Sequence, residues 1–252
     1  MPWASVASPC TTTSTPCTGD PPVVSAFDVI GFDADDTLWH SEDGFRFNEE
    51  RFVELIAPYA PEGIEVKAAL TATERKNLAA FGYGVKSFGL SMVEAAVTIS
   101  GGRVPSTVVA EMVEMVRTQL EEPVRLLEHV PEVLAEVGAE RRLILITKGD
   151  LIHQTHKVTT SGLAHHFEHV EIVLEKDPET YAGLLSRLNI DPTRFCMVGN
   201  SVRSDILPVL ALGGHGVHVP YPILWDLEQV DHDQHVVELT SLAELPPWLR
   251  GR

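Results

Sequence analysis

Positive charge is scarce in this sequence. Lys and Arg number 19 against 36 Asp and Glu, which gives a formal net charge of −17. A surface that binds a nucleic-acid backbone concentrates Lys and Arg, so this balance argues against nucleic acid as a partner. It leaves open a nucleotide as a small-molecule substrate.

Cysteines and long apolar runs are also few. Cys10, Cys17 and Cys196 cannot form a disulfide framework, which favours a reducing, cytoplasmic setting. No apolar run approaches the length of a membrane span, so we expect no membrane partner. Residues 1–25 are rich in Thr, Ser and Pro, lack the features of a signal peptide, and are predicted to form a flexible tail.

Apolar runs with the character of buried strands alternate with helical segments along most of the chain. These runs are residues 27–32, 143–147, 170–174, 195–198 and 216–219. Helices are predicted at 150–160, from Asp177 as N-cap with Pro178 next to it, and after Ser204. This alternation predicts an α/β fold, a Rossmann-like parallel sheet with helices on both faces.

Residues 45–122 differ, because their apolar positions repeat with the period of a helix. Phe52, Leu55, Ile56 and Tyr59 fall at i, i+3, i+4 and i+7. Ser91 and Glu94 have the spacing of a capping box, and Gly101 follows the apolar stretch after them. We therefore predict a helical unit at 45–122 inserted into a core made of 26–44 and 123–252.

The first apolar run ends in closely spaced acids, Asp33, Asp35 and Asp36, in the pattern D-x-D-x-T that Thr37 completes. The first carboxylate of such a pattern can attack an electrophilic phosphorus, and the second can protonate the leaving oxygen and later deprotonate water. A divalent cation near the first carboxylate would offset the repulsion. The alternative is an acidic turn that caps a helix.

Polar side chains also follow the other predicted strands. Thr147 ends the second, Lys176 follows the third, and Asn200 and Asp205 follow the fourth. Ligands of open parallel sheets bind outside the carboxyl ends of the strands, so we expect these groups to meet Asp33 at one edge. A nucleophilic acid, a hydroxyl, an ammonium and an acid–amide pair together predict a site for an anion and a metal ion.

These residues resemble the four motifs of the haloacid dehalogenase-like (HAD) hydrolase superfamily, and the resemblance extends from Phe27 to about Tyr221. The motifs are DADDT, Thr147 in LILITKGD, Lys176 in EKDPETY, and GNSVRSD. The resemblance implies that Asp33 is the nucleophile and Asp35 the general acid and base. It also implies that Thr147 binds a phosphoryl oxygen and that Lys176 neutralises charge.

The resemblance further implies a Mg²⁺ ion held by the Asp33 carboxylate, the Asp35 backbone carbonyl and the fourth motif, through Asn200 and Asp205. The departure is Asn200, where the family usually has an acid. An amide oxygen carries no formal charge, so we expect weaker Mg²⁺ binding unless Asp205 compensates.

The long helical insert between Thr37 and Thr147 resembles the cap that many family members carry there. Such a cap usually closes over small substrates, so a small phosphorylated metabolite is the expected partner. Candidate substrate contacts are Lys148, Lys86, Tyr83 and Arg46, with His40 close to the first motif; a solvated surface lysine is the alternative for Lys86.

The function expected from these features is a Mg²⁺-dependent phosphatase that acts through an aspartyl-phosphate. Asp35 favours phosphoryl chemistry, because family members that cleave carbon–halogen bonds protonate no leaving group and typically lack this acid. A phosphotransferase or mutase, a 2-haloacid dehalogenase, and a catalytically weakened binding protein stay open as alternatives.

Overall fold

The computed structural model describes residues 26–252, and the predicted tail lies outside the described residues. Six strands in this part of the chain form one parallel sheet in the order β3-β2-β1-β4-β5-β6. They are β1 Val29–Phe32, β2 Arg142–Lys148, β3 His169–Val173, β4 Phe195–Gly199, β5 His215–His218 and β6 Val237–Glu238. The predicted parallel α/β sheet is confirmed, with strand ends that differ by at most two residues and with β6 added at the edge.

Helices connect the strands and surround the sheet. They are α1 Glu42–Ile56, α2 Val66–Phe81, α3 Val85–Ser100, α4 Ser106–Glu121, α5 Val130–Gly138, α6 Leu151–Thr160, α7 Pro178–Arg187, α8 Leu207–Leu210 and α9 Leu245–Arg250. A short π-helical segment, Val202–Ile206, precedes α8. Within the described residues, no helix is both long and apolar enough to span a bilayer.

Alternate residues of the central strands pack into two separate apolar layers, as expected for strands covered on both faces. Ile30 and Phe32 face a layer completed by α5, α6 and α9. Val29 faces the opposite layer, which α7 fills with Tyr181 and Leu184. The sheet is therefore buried on both sides, and its strand ends become the natural place for polar groups.

The segment between β1 and β2 forms a helical unit with its own apolar core. Phe52, Leu70, Met92 and Met112, one from each of α1 to α4, are fully buried in this core. The helices run from Glu42 to Glu121, so the unit begins three residues before the predicted bound. The assignment of 45–122 as a separate domain stays a prediction.

Two helix starts were predicted from capping signals in the sequence, and one of them is correct. Asp177 is the N-cap of α7, and its side chain accepts a hydrogen bond from the Thr180 N–H, as predicted. The capping-box interpretation of Ser91 and Glu94 is wrong, since α3 begins at Val85 and both residues lie inside it. Their side chains accept hydrogen bonds from the Asn77 amide of α2 instead, so helix packing explains these polar residues.

The strand order reverses between β1 and β4, because the connections from β1 run to one side of the sheet and those from β4 to the other. In open parallel sheets this reversal opens a crevice at the carboxyl ends of the two strands, where ligands bind. Asp33 directly follows β1 and Asn200 directly follows β4. The fold therefore brings the first and fourth sequence motifs to the same crevice.

Candidate active site

A buried ammonium group joins two carboxylates at the centre of the crevice. Lys176 Nζ donates to Asp33 Oδ1 and, at 2.6 Å, to Asp205 Oδ1. The three residues are between 1% and 6% exposed. Such a set of charges is stable away from water only while it stays paired, so these residues, far apart in sequence, form one unit.

Burial and neighbouring charges shift the pKa values of Asp33 and Lys176. Burial, opposed by the Lys176 ammonium and reinforced by the Asp205 carboxylate, raises the pKa of Asp33 to about 7. Burial disfavours the ammonium of Lys176, but attraction by Asp205 and Asp33 raises its pKa above its usual value. Lys176 therefore remains charged between the two carboxylates.

Asp205 is held in place by the backbone around it. The Ser201 N–H donates to Asp205 Oδ2 at 3.0 Å, and the π-helical segment carries the residue over the end of β4. A Cβ atom on Gly199 would lie 2.2 Å from Asp205 Oδ2, so only glycine fits there. Both Asp205 oxygens are engaged, and its predicted role as a metal ligand stays a prediction.

Thr37 connects the loops after β1 and β4. Its hydroxyl donates to Asp33 Oδ2 at 3.0 Å and accepts from the Asn200 N–H at 3.1 Å. Thr147, at the end of β2, is buried and lines the same cavity. The structure thus brings together all of the predicted catalytic residues, and the third residue of D-x-D-x-T fixes the first.

The oxygen atoms around Asn200 suit a hard cation. Its side-chain oxygen faces the Asp35 carbonyl oxygen and Asp33 Oδ2, at 3.3 Å from each. Mg²⁺ prefers oxygen ligands, so these three oxygens are a candidate set of ligands; with the amide turned over, its nitrogen would donate to both neighbours instead. Among residues 26–252 there is no group of three or more His, Cys, Asp or Glu side chains that fits a metal ion, so this candidate site uses amide and backbone oxygens.

Asp35 is bonded to a different set of residues from Asp33. Its carboxylate accepts hydrogen bonds from Trp39 Nε1, Gln154 Nε2 and Lys157 Nζ, at 2.6, 2.7 and 2.5 Å. Burial works against its ionisation, but Lys157, Gln154 and Trp39 together lower the pKa of Asp35. Neighbouring carboxylates of one loop are therefore in contrasting environments.

Asp36 is the one acid of the loop that behaves as a helix cap. Its side chain accepts hydrogen bonds from the N–H groups of Ser41 and Glu42 at the start of α1, and its φ of 63° is left-handed. Burial and the nearby Asp35 raise the pKa of Asp36 to about 7. The capping alternative therefore applies to Asp36, whereas Asp33 and Asp35 point to other partners.

A cavity of about 420 Å³ opens above these groups, between the strand ends and helices α1 to α3. Its lining carries acids from the helical unit, including Glu42 and Glu74. Burial, reinforced by neighbouring carboxylates, raises the pKa of Glu42 to about 9 and that of Glu74 to about 7. The size suits a small molecule, and the raised pKa leaves the Glu42 side chain mostly uncharged near neutral pH.

The predicted substrate contacts divide into two groups. Lys148, Tyr83 and Arg46 line the cavity. Lys86 lies outside its lining, half-exposed and 2.8 Å from Asp150 Oδ1, so the surface alternative describes it better. His40 Nδ1 is 2.8 Å from the Tyr221 hydroxyl and is likewise not part of the lining.

Sequence reasoning missed several polar residues that contact the predicted site. Gln154 and Lys157 reach Asp35 from α6, and Glu228 accepts hydrogen bonds from Lys148 and from the Ser201 hydroxyl. Gln154 and Lys157 are three residues apart, the spacing of one helix face, and this was the available signal. Glu228 follows an irregular segment after β5 that has no periodic pattern to place it.

A parallel sheet with an aspartate nucleophile candidate after its first strand and a lysine between two acids defines a class of α/β hydrolases. The family model for haloacid dehalogenase-like hydrolases matches residues 27–213. A haloacid dehalogenase-like hydrolase of Xanthomonas campestris is 39% identical, with a TM-score of 0.81 over 90% of this chain and 92% of that one. This chain belongs to the haloacid dehalogenase-like hydrolase family.

More distant structures share the fold. A predicted phosphoglycolate phosphatase of Haemophilus somnus is 18% identical, covering 89% and 98% of the two chains with a TM-score of 0.60. A 2-haloacid dehalogenase of Pseudomonas syringae pv. Tomato is 21% identical, covering 89% and 99% at 0.59. A Bacillus subtilis HAD-hydrolase determined with magnesium is 15% identical, covering 88% and 98% at 0.63. The search of curated proteins gave no match.

Proposed function

We propose that this hydrolase is a Mg²⁺-dependent phosphatase that cleaves a small phosphomonoester through an aspartyl-phosphate at Asp33. The observation that carries the proposal is the pairing of two acids two residues apart with different partners. Asp33 is bonded to Lys176 and Thr37 at the base of the cavity, and Asp35 is bonded to donors from α6. A nucleophile and a proton carrier need such separate environments.

In the first step an Asp33 oxygen attacks phosphorus, and the bond from phosphorus to the leaving oxygen breaks. Asp35, whose pKa is lowered in the free protein, must bind a proton before this step; it gives that proton to the leaving oxygen, so the product leaves as an alcohol. In the second step Asp35 takes a proton from water, the water oxygen attacks phosphorus, and the acyl phosphate bond breaks to release phosphate and restore Asp33. The first half-reaction leaves Asp35 ionised, as the second requires, and the second leaves it protonated for the next turnover.

Charge stabilisation comes from fixed donors at the strand ends. In this proposal Lys176 offsets the charge on Asp33 and on the phosphoryl oxygens, and the Thr147 hydroxyl donates to one of them. Asp33, the Asp35 carbonyl and Asn200 would hold Mg²⁺, which when bound polarises the phosphoryl group. The two acceptor oxygens that the Asn200 side-chain oxygen faces support that assignment.

The runner-up is a 2-haloacid dehalogenase, because such enzymes are among the structures with this fold. Halide leaves without a proton, so a dehalogenase gives the Asp35 side chain no role in bond cleavage. The carboxylate is nonetheless partly buried and bonded to three donors. Release of halide from a 2-haloacid at a rate above phosphate release from any phosphomonoester would favour this reading.

A phosphotransferase or mutase shares the first step and differs only in the acceptor of the phosphoryl group. A catalytically weakened binding protein is the other alternative, since Asn200 gives the proposed ion less charge than a carboxylate. Mg²⁺ titration separates the last case. A protein that shows no metal-dependent rise in thermal stability and releases no phosphate would be the catalytically weakened binding protein.

The decisive experiment compares two isosteric variants on a panel of sugar phosphates, nucleotides, phosphoglycolate and an aryl phosphate. Asp33→Asn is expected to abolish turnover of every substrate. Asp35→Asn is expected to slow poor leaving groups most. Near-normal activity of Asp33→Asn would exclude the covalent route, and equal slowing of all substrates by Asp35→Asn would exclude the acid role.

The partner in this proposal is a small phosphorylated metabolite, in a cytoplasmic setting. The cavity volume favours a small substrate. The cytoplasmic setting rests on the few cysteines, of which Cys196 is buried as a free thiol.

A further inference from the structure

The hydrogen bonds to Asp35 leave its two oxygen atoms in different situations. Lys157 Nζ and Trp39 Nε1 both donate to Oδ1, whereas Gln154 Nε2 alone donates to Oδ2. A carboxylate offers about two lone pairs on each oxygen. Oδ1 is therefore saturated, and Oδ2 keeps one lone pair available for a proton.

Lys157 is placed in a way that stability alone does not explain. The residue is 8% exposed, and within residues 26–252 its ammonium forms an ion pair with Asp35 only. Burial of a charged pair is often no better for stability than an apolar pair of the same volume. A lysine directed at this particular carboxylate points to a role in what the carboxylate does.

The donors from α6 are rigidly connected to the end of β2. Asp150 caps α6 by accepting from the His153 N–H at 2.9 Å. Gln154 and Lys157 share a helix face, and Gln154 Nε2 also donates to the Lys148 carbonyl at 2.9 Å. The amide oxygen of Gln154 has no partner among the described residues, so the amide orientation follows from its donors. Gln154 thereby links the Asp35 carboxylate to Lys148 at the end of β2.

We propose that Lys157, supported by Gln154, is a positioning residue that makes Asp35 Oδ2 the oxygen through which the proton moves. The inference rests on the proposed phosphatase function. The Oδ2–H bond breaks as the hydroxyl bond of the leaving alcohol forms, and Oδ2 later receives the proton that water loses. The terminal torsion of an aspartate has broad minima, so without these donors the carboxylate rotates and the transfer geometry is lost.

The test uses leaving groups of different quality on the full-length protein with Mg²⁺. Lys157→Met keeps the length of the side chain and removes its donors. It is expected to reduce kcat for β-glycerol phosphate at least about tenfold, because general acid catalysis contributes most when the leaving alcohol is weakly acidic. kcat for p-nitrophenyl phosphate, which leaves without help, is expected to fall by less than about threefold.

Two controls accompany that variant. Lys157→Arg keeps a charged donor and is expected to retain most of the β-glycerol phosphate activity. Lys76→Met removes an exposed lysine of α2, outside the cavity, and is expected to change neither substrate. Equal losses of kcat for both substrates in Lys157→Met, or no loss for either, would overturn the proposal.

The failure of this proposal can be told apart from failure of the proposed function. If Asp35→Asn discriminates between leaving groups and Lys157→Met does not, the positioning role is wrong and the phosphatase mechanism stands. If Asp33→Asn stays active, the mechanism itself is wrong. Should Lys157→Met not fold, judged by its thermal unfolding, Gln154→Leu must show the same preference for the good leaving group, and a uniform loss there also refutes the role.

Discussion

Removing Lys176 is predicted to leave two buried carboxylates without their shared cation. The Lys176 side chain is 2% exposed and contacts Asp33 and Asp205, whose side chains are 9% and 1% exposed. Loss of one partner of a buried ion pair costs about 3–5 kcal/mol, since the remaining charge keeps its desolvation penalty. In a chain of this size that corresponds to a fall in Tm of roughly 6–20 °C for Lys176→Met.

The loss of stability in Lys176→Met is expected to depend on pH. Without the ammonium, the folded-state pKa of Asp33 lies further above its unfolded value, so the folded state takes up a proton that the unfolded state does not. Stability of the variant then decreases as pH rises from about 4 towards the raised folded-state pKa of Asp33. The deficit relative to the parent protein should be small at pH 5 and largest at pH 8.

Thermal unfolding of Lys176→Met and of the parent protein in EDTA, at pH 5 and at pH 8, measures this difference in stability. A matched variant, Lys76→Met, loses an exposed lysine and should change Tm by little at either pH. Combining Lys176→Met with Asp205→Asn should restore part of the stability, because one of the two unpaired charges is gone. A Lys176→Met deficit that is no larger than that of Lys76→Met, or that is independent of pH, would refute the reasoning.

Three further changes test other parts of the site. Asn200→Asp should tighten Mg²⁺ binding in calorimetry and lower Tm in EDTA, because the new charge lies about as close to Asp33 as the present amide oxygen, 3.3 Å; unchanged affinity would place the amide away from the ion. Glu42→Gln should raise Tm at pH 8 and not at pH 4.5. The folded-state pKa of Glu42 is about 9, so at pH 8 a carboxylate that is ionised in the unfolded chain must take up a proton on folding. An equal effect at both pH values would contradict this. Gly199→Ala should reduce both Tm and kcat, because its Cβ would lie 2.2 Å from Asp205 Oδ2; normal values of both would contradict the fit.

Features that depend on local periodicity were predictable from the sequence. The buried strands appear as short β-branched runs, and Asp177 followed by Pro178 places the start of α7 at the right residue. The parallel order of the strands then brings Asp33, Thr147, Lys176 and Asp205 to one edge of the sheet. Each of these inferences uses only spacing along the chain.

Features that depend on packing between segments were not predictable in this way. Ser91 has the spacing of a helix cap but lies inside α3. Its hydroxyl accepts a hydrogen bond from Asn77 of α2, and spacing along the chain does not reveal that contact. The partners of Asp35 come from α6, and spacing within the first motif carries no information about them. Lys86 carries the right charge for a substrate contact but points to Asp150 instead.

The central claim is that the Asp33 carboxylate attacks phosphorus. The direct measurement is a rapid acid quench during turnover of a phosphomonoester, followed by peptide mass spectrometry. The account predicts one phosphoryl group on the peptide that contains Asp33, and none on that peptide in Asp33→Asn. Turnover with a product burst and the phosphoryl group on another residue, or undiminished turnover by Asp33→Asn, would contradict it.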